Sequence, residues 1–210
     1  MKELDYLFLD YVSDLRFRME LLFSDNVDEI FNKPHHRLTS SSVLEELQSL
    51  YKKGLIIFSE LYGKALPEPV HLDSIDFKYV YVGLSSKGGA LWENFFQADW
   101  NKYYSEEIEP RQGFDLLTFG AGSVGITEKA QQFAEEVIGC KIILPVKKIT
   151  FWKPVYWKEL SEGYVFAGIH SHLFDLPRNF IDDEYFKTLR RTWRRFLEWD
   201  KSSGQLKLKE

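Results

Sequence analysis

Two short groupings in this 210-residue chain combine residue types and spacings that could do chemistry. Gly120-Ala121-Gly122-Ser123-Val124-Gly125 follows the G-x-G-x-x-G spacing with which a strand-to-helix turn brings backbone N–H groups against a pyrophosphate. Apolar runs at 114–119 and 127–138 predict the flanking strand and helix, so an enzyme using the glycine-rich loop at 120–125 is one reading. The surroundings argue against it. The next strand ends as Val146-Lys147-Lys148, with no acid for a ribose hydroxyl. The helix signal begins at Thr127, beyond the glycines, and no repeated strand–helix–strand units follow. The string therefore reads as a flexible turn, and no cofactor is expected. His170-Ser171-His172, with Asp175 close behind, places two imidazoles on one side of an extended segment, as a metal site needs. No other His or Cys lies nearby in sequence, since His35-His36 belong to the other half. Structural or surface histidines are expected, and no metal.

Nothing else orders itself as a nucleophile. The single cysteine, Cys140, excludes an internal disulfide framework and any multi-cysteine zinc site, and its setting CKIILPV reads as a buried strand. No Ser/His/Asp or Cys/His order stands out. The acidic pairs Glu135-Glu136 and Asp182-Asp183 fall at helical surface positions. No catalytic residue is expected.

Charge is more telling. The formal net charge is −5, and it is unevenly spread. Residues 1–110 carry 11 Lys/Arg against 19 Asp/Glu, a balance of −8, whereas residues 111–210 carry 16 against 13, a balance of +3. Arg190, Arg191, Arg194 and Arg195 stack at i,i+4 on a helix expected from 182 to 199, and like charges there repel unless they are solvated or paired. Glu45 and Glu46 are the acidic counterpart in the first half. These six residues are the candidate partner-binding positions. Aromatics make up 16 %, including six Trp and seventeen Phe, which is enough for a core of large rings and for some rings at a partner surface.

The elements that must position these side chains follow from hydrophobic period and breakers. A helix is expected over 4–23, with Leu4, Leu7, Phe8, Tyr11, Leu15, Met19 and Leu22 on one stripe. A short helix over 25–32 is closed by Lys33-Pro34. The third helix, 39–53, has a Ser/Thr start signal at 39–42, apolar Val43, Leu44, Leu47, Leu50 and Tyr51, and a stop at Gly54. Strands are expected at 55–61 and 77–82, separated by a loop bearing Gly63, Pro67 and Pro69, and a fourth helix runs over 86–104. The charged stretch SEEIEPRQG at 105–113 marks a boundary. Beyond it come strands at 114–119, 141–146, 149–157 and 164–169, with the helices at 127–138 and 182–199 and a short tail strand after Gly204.

The succession RLTSSSVLEELQSLYKKGLIIF, then KYVYVGLSSKGGALWENFF, resembles the winged-helix pattern of bacterial regulators, in which LTxKGRALLE follows the wing. The resemblance covers roughly the first half of the chain. It implies a recognition helix at 39–53 and wing strands at 55–61 and 77–82. Winged-helix proteins include DNA-binding regulators and domains that bind only other proteins. DNA binding calls for Lys, Arg, Asn or Gln on the outer face of that helix. The face offers Ser40, Ser41, Glu45, Glu46, Gln48 and Ser49, with Lys52 and Lys53 only at its end, and Gly89 stands where the regulator signature usually has Arg.

The expected architecture is α+β: a winged-helix-like acidic domain at 1–106, then a small mixed α/β domain at 112–210 ending in a long basic amphipathic helix. No apolar run approaches a membrane span, and Asp5 and Asp10 interrupt the apolar N-terminus, so no signal region is read and a cytoplasmic protein is expected. The expected function is non-enzymatic binding of another protein, as an immunity, regulatory or accessory factor, by a monomer or homodimer. A DNA-binding transcriptional regulator is the alternative, and no membrane partner is expected.

Overall fold

A computed structural model describes residues 1–60, 64–66, 76–100, 103–111, 114–122, 140–142, 147–170 and 193–209. The fold is mixed α+β. Two compact units divide the chain. Unit 1 holds Met1–Gln97, Val155–Lys158 and Arg195–Glu210, and unit 2 holds Ala98–Pro154 and Glu159–Arg194.

Unit 1 begins with α1 (Glu3–Tyr11), which stops twelve residues short of the end expected at 23. Two side chains occupy the Asp10 carbonyl at its end: Ser13 Oγ donates to it at 2.9 Å, and so does Lys33 Nζ. With that carbonyl taken, the chain turns away, and Phe17 and Arg18 become β1 (Phe17–Arg18), opposite Val82 and Tyr81. Met19–Phe23 follows as a 3₁₀ turn. The helical stripe beyond Tyr11 is real as a pattern, but sheet pairing overrides it.

The local signals downstream act much as read. α2 (Val27–Phe31) closes on Asn32, whose left-handed φ of 49° ends the helix before Pro34 does. α3 (Ser40–Lys52) is capped by Thr39, whose side chain accepts from Ser42 N, and Gly54 at φ 69° terminates it. β2 (Ile56–Ser59) pairs antiparallel with β3 (Tyr81–Leu84), giving the sheet order β1-β3-β2. β3 starts later than expected, because Phe77–Tyr79 forms a 3₁₀ turn capped by Asp76. α4 (Ser86–Phe96) is capped by Ser85 and ends at Gln97, φ 51°, well before 104. Gly88 is required by space: a Cβ there would lie 1.8 Å from the Leu55 carbonyl oxygen, which is backbone and cannot yield. The core under these elements contains Leu7, Phe8, Leu9 and Tyr11 of α1, Leu47 and Leu50 of α3, Val82 of β3, and Trp92 and Phe96 of α4. Each such side chain contributes about 1.5–3 kcal/mol through burial.

The helix expected over 182–199 is corrected at its end, while 182–192 lie outside the described residues. Arg194 sits at a bend, Arg195 lies in no helix, and Phe196–Asp200 is strand β9, paired antiparallel with β10 (Gln205–Lys209). Gly204 at φ 65° turns the hairpin, and Trp199 Nε1 donates to the His35 carbonyl at 2.8 Å. A five-pair ladder and this tertiary contact outweigh a local helical pattern.

Unit 2 is built on a sheet with strand order β4-β5-β8-β6. Its strands are β4 (Tyr104–Arg111), β5 (Phe114–Gly122), β6 (Cys140–Ile142), β7 (Lys147–Val155) and β8 (Lys158–His170), and β7 also pairs with β8. Residues 105–111 of the charged stretch belong to β4 and pair with β5. Two sequence expectations change here. Gly120 and Gly122 are not in a turn: Gly120 pairs with Ser105 and Val165, and Gly122 pairs with Gly163. β5 and β6 do not adjoin as in a simple strand–helix–strand unit, since β8 runs antiparallel to both, between them. The helix expected at 127–138 lies outside the described residues.

Candidate functional site

The polar chemistry of unit 1 gathers at the two ends of α1. At the C-terminal end, Asp10 is 3 % exposed and Lys33, from the α2–α3 connection, is 4 % exposed, with Nζ 3.7 Å from Asp10 Oδ1. Lys33 Nζ also donates to the Asp10 carbonyl, to Ser13 Oγ at 3.4 Å and to Asp14 Oδ2 at 3.1 Å. Trp92 Nε1 donates to Asp10 Oδ1 at 2.8 Å. A cation at the carboxyl end of a helix also meets the negative end of the helix dipole. The ammonium is surrounded by acceptors, which suits a structural charge rather than an amine nucleophile.

At the N-terminal end, Asp5 is buried and Lys53 Nζ lies 3.4 Å from its Oδ2. Glu46 of α3 hydrogen-bonds the same Asp5 carboxyl, which favours a proton on Glu46. Glu46 Oε1 is buried and accepts no hydrogen bond. Burial first, then the Asp5 hydrogen bond and charge, push the Glu46 carboxyl up to about 7, while Lys53 and Lys2 oppose the shift. The Glu46 carboxyl can hold and release a proton near neutrality.

Tyr11 and His36 lie nearby. Burial, reinforced by Asp10 and Asp28, raises the Tyr11 hydroxyl above the ordinary tyrosine range, and it donates to the Pro34 carbonyl. Burial lowers the His36 pKa, and its ring is held neutral: Nδ1 accepts from Leu38 N at 2.9 Å and Nε2 donates to Leu22 O at 3.0 Å.

A third cluster surrounds Tyr156 and Trp157. Tyr156 OH donates to Val12 O at 2.7 Å and accepts from Leu84 N. Trp157 Nε1 donates to Ser13 O at 2.6 Å, and its ring meets Trp92 edge-on at 5.6 Å. Lys158 Nζ pairs with Glu93.

The sequence-derived partner positions fall in different settings. Glu45 is exposed on α3, while Glu46 is half-buried against Asp5. Arg194 is 4 % exposed and lies over the Trp193 ring at 5.5 Å, and Arg195 is half-buried with its N–H donating to Phe96 O at 2.8 Å. Arg190 and Arg191 lie outside the described residues, as do Ser123, Val124, Gly125, Ser171, His172 and Asp175. His170 closes β8 opposite Cys140. Among the described residues no group of three His, Cys, Asp or Glu is placed to hold a metal, and no helix is long and apolar enough to cross a membrane.

Sequence reasoning did not anticipate Lys33, Asp10, Trp92, Tyr156 or Trp157 as a connected set. The available signal was Asp5 and Asp10 inside an otherwise apolar run, because a buried acid demands a partner. No protein-family model, curated protein or solved structure matches this chain.

Proposed function

We propose that the chain is a non-enzymatic cytoplasmic accessory protein that binds another protein through a winged-helix-like module in unit 1. The element order α1-β1-α2-α3-β2-β3, with sheet order β1-β3-β2, supports the winged-helix reading. The observation that carries protein binding over DNA binding is the exposed face of α3. Ser40, Ser41 and Glu45 are exposed along it, and a base, Lys52, is reached only in the last turn. Duplex DNA presents about one negative charge per 1.7 Å of axis, so a helix that reads it needs cations where this one has Ser and Glu. Tyr79, 72 % exposed just ahead of β3, adds an aromatic suited to a protein contact.

The second reading, a DNA-binding regulator, draws on the same topology. A salt titration separates the two. Protein binding expects no specific duplex complex near physiological salt, together with capture of a defined partner that Glu45→Arg weakens. A single recovered DNA motif whose affinity falls steeply with salt overturns it.

A further inference from the structure

Phe151 of β7, in unit 2, is 75 % exposed, more than any other large apolar side chain among the described residues. Its φ of 57° is left-handed, a conformation that a bulky residue rarely adopts and that clusters at functional sites. The next residue has the opposite fate. Trp152 is half-buried, its ring lying so close over Gly163 that a Cβ there would stand 2.7 Å from Trp152 Cε3. Tyr103 flanks the same ring, at 6.0 Å between centroids, and its hydroxyl donates to the Pro154 carbonyl at 3.2 Å. The strand is therefore anchored on both sides of the tryptophan, and Phe151 stands out from a fixed support.

The charge around that ring has one sign. Residues 137–158 contain five lysines and no Asp or Glu, in a chain with 32 acidic residues and a net charge of −5. Lys148, Thr150 and Lys153 are exposed on either side of Phe151. Lys153 Nζ meets Glu159 at 3.4 Å, but both side chains are more than half exposed, and such a pair yields readily to a competing anion. β7 pairs with β8 and, among the described residues, with no other strand. An aromatic face for a base, with cations beside it for phosphates, is what binding of a single-stranded nucleic acid requires. A membrane surface calls for several apolar side chains together, whereas the exposed neighbours of Phe151 are Thr150 and Lys153.

We propose that the surface of β7 from Lys148 to Lys153 binds single-stranded RNA, with a base stacked on Phe151 and the flanking phosphates against Lys148 and Lys153. The exposed Thr150 hydroxyl, next to the ring, offers the donor and acceptor that a ribose 2′-hydroxyl needs. Duplexes do not fit, because their bases are stacked on one another and present no face to the ring. This is a second function, on unit 2, and it does not depend on the protein-binding reading of unit 1.

The test follows the fluorescence anisotropy of a labelled oligouridylate of about twelve nucleotides, titrated with the full chain at low salt. Saturable binding is expected, and none to a duplex of the same length. Phe151→Gly is the decisive variant. Glycine adopts a left-handed φ without strain, so the variant should melt no lower than wild type, while affinity falls about five- to hundredfold. A ring that only packs gives the reverse, a lowered melting temperature with oligouridylate binding intact, and that result overturns the site. Lys148→Gln with Lys153→Gln should reduce the slope of log affinity against log salt by about 1.4, at about 0.7 for each phosphate contact. Failure of wild-type protein to bind oligouridylate saturably overturns the proposal, and equal affinity for oligodeoxyuridylate overturns the assignment to RNA. Tighter association with phosphatidylserine vesicles than with the oligonucleotide makes this a membrane contact instead. The α3 face of unit 1 is judged separately, by the Glu45→Arg capture experiment.

Discussion

The two ends of α1 solve one problem in opposite ways. Each buries an aspartate: Asp10 at the C-terminal end and Asp5 at the N-terminal end. Asp10 is matched by a cation as buried as itself, with the Trp92 indole on the same oxygen that faces Lys33. Asp5 meets a half-exposed lysine and a second carboxyl, so part of its compensation is a proton on Glu46. The lesson is that a buried acid can be neutralised by a fixed charge or by a titratable one, and only the second leaves the fold sensitive to pH near neutrality.

Removing Lys33 should have the largest effect. Lys33→Met strands the Asp10 carboxylate in the core, and the loss in unfolding free energy should be roughly 3–5 kcal/mol, as when one partner of a buried pair is deleted. Urea denaturation measures it. Adding Asp10→Asn should recover much of the loss. A double variant no better than the single one would mean that Lys33 acts through its other contacts, at Ser13 and Asp14, rather than through the pair.

The Asp5–Glu46 pair predicts a pH effect of definite sign. The folded-state pKa of Glu46, about 7, lies above its ordinary 4.5. Between those values the folded chain holds more protons than the unfolded one, so this group's contribution is complete at low pH and is lost as pH rises through 7. His36, whose pKa burial lowers, slopes the other way, because stability there is lost as pH falls. The difference between wild type and Glu46→Gln isolates the acid pair. Melting temperature should favour the Gln variant increasingly from pH 5 to pH 8. A parallel pair of curves would show that Glu46 does not hold a proton near neutrality.

Lys53 should matter least. It is 44 % exposed beside Asp5, and Lys53→Ala should cost under about 1 kcal/mol, most of it removable by salt. A cost comparable to that of Lys33→Met would erase the contrast between the two ends.

Much of unit 1 was legible because its signals are local. Thr39 and Ser85 cap helices as their Ser/Thr positions suggest, and Gly54 and Gly204 end elements at φ 69° and 65°. The misreadings share one cause. Residues 12–23 and 196–199 carry helical stripes, yet Phe17 pairs with the distant Val82, and Phe196–Asp200 pairs with Gln205–Lys209 in a hairpin. Gly120 and Gly122 looked like a turn by composition, but sheet pairing makes them strand, Gly120 with neighbours on both sides and Gly122 with Gly163. Gly89, noted only as a departure from a regulator signature, proves to be the space that Trp157 fills. The candidate site was less legible than the fold. Glu45 and Glu46 are adjacent in sequence, but one faces solvent and the other faces Asp5.

By itself the sequence determined the α+β class, the acidic character of the first half, the cap and stop of α3, and the lack of cations early on α3. These depend on residue type and on spacings of a few positions, which act before any distant contact exists. Tertiary structure alone decided where α1 stops, which carboxyl holds a proton, which lysine is buried, and that the Tyr156-Trp157 tip lies against Val12, Ser13 and Leu84. Those outcomes turn on burial and on groups up to 144 positions apart, and burial changes the free energy of a charge or an unpaired backbone group far more than local propensity does.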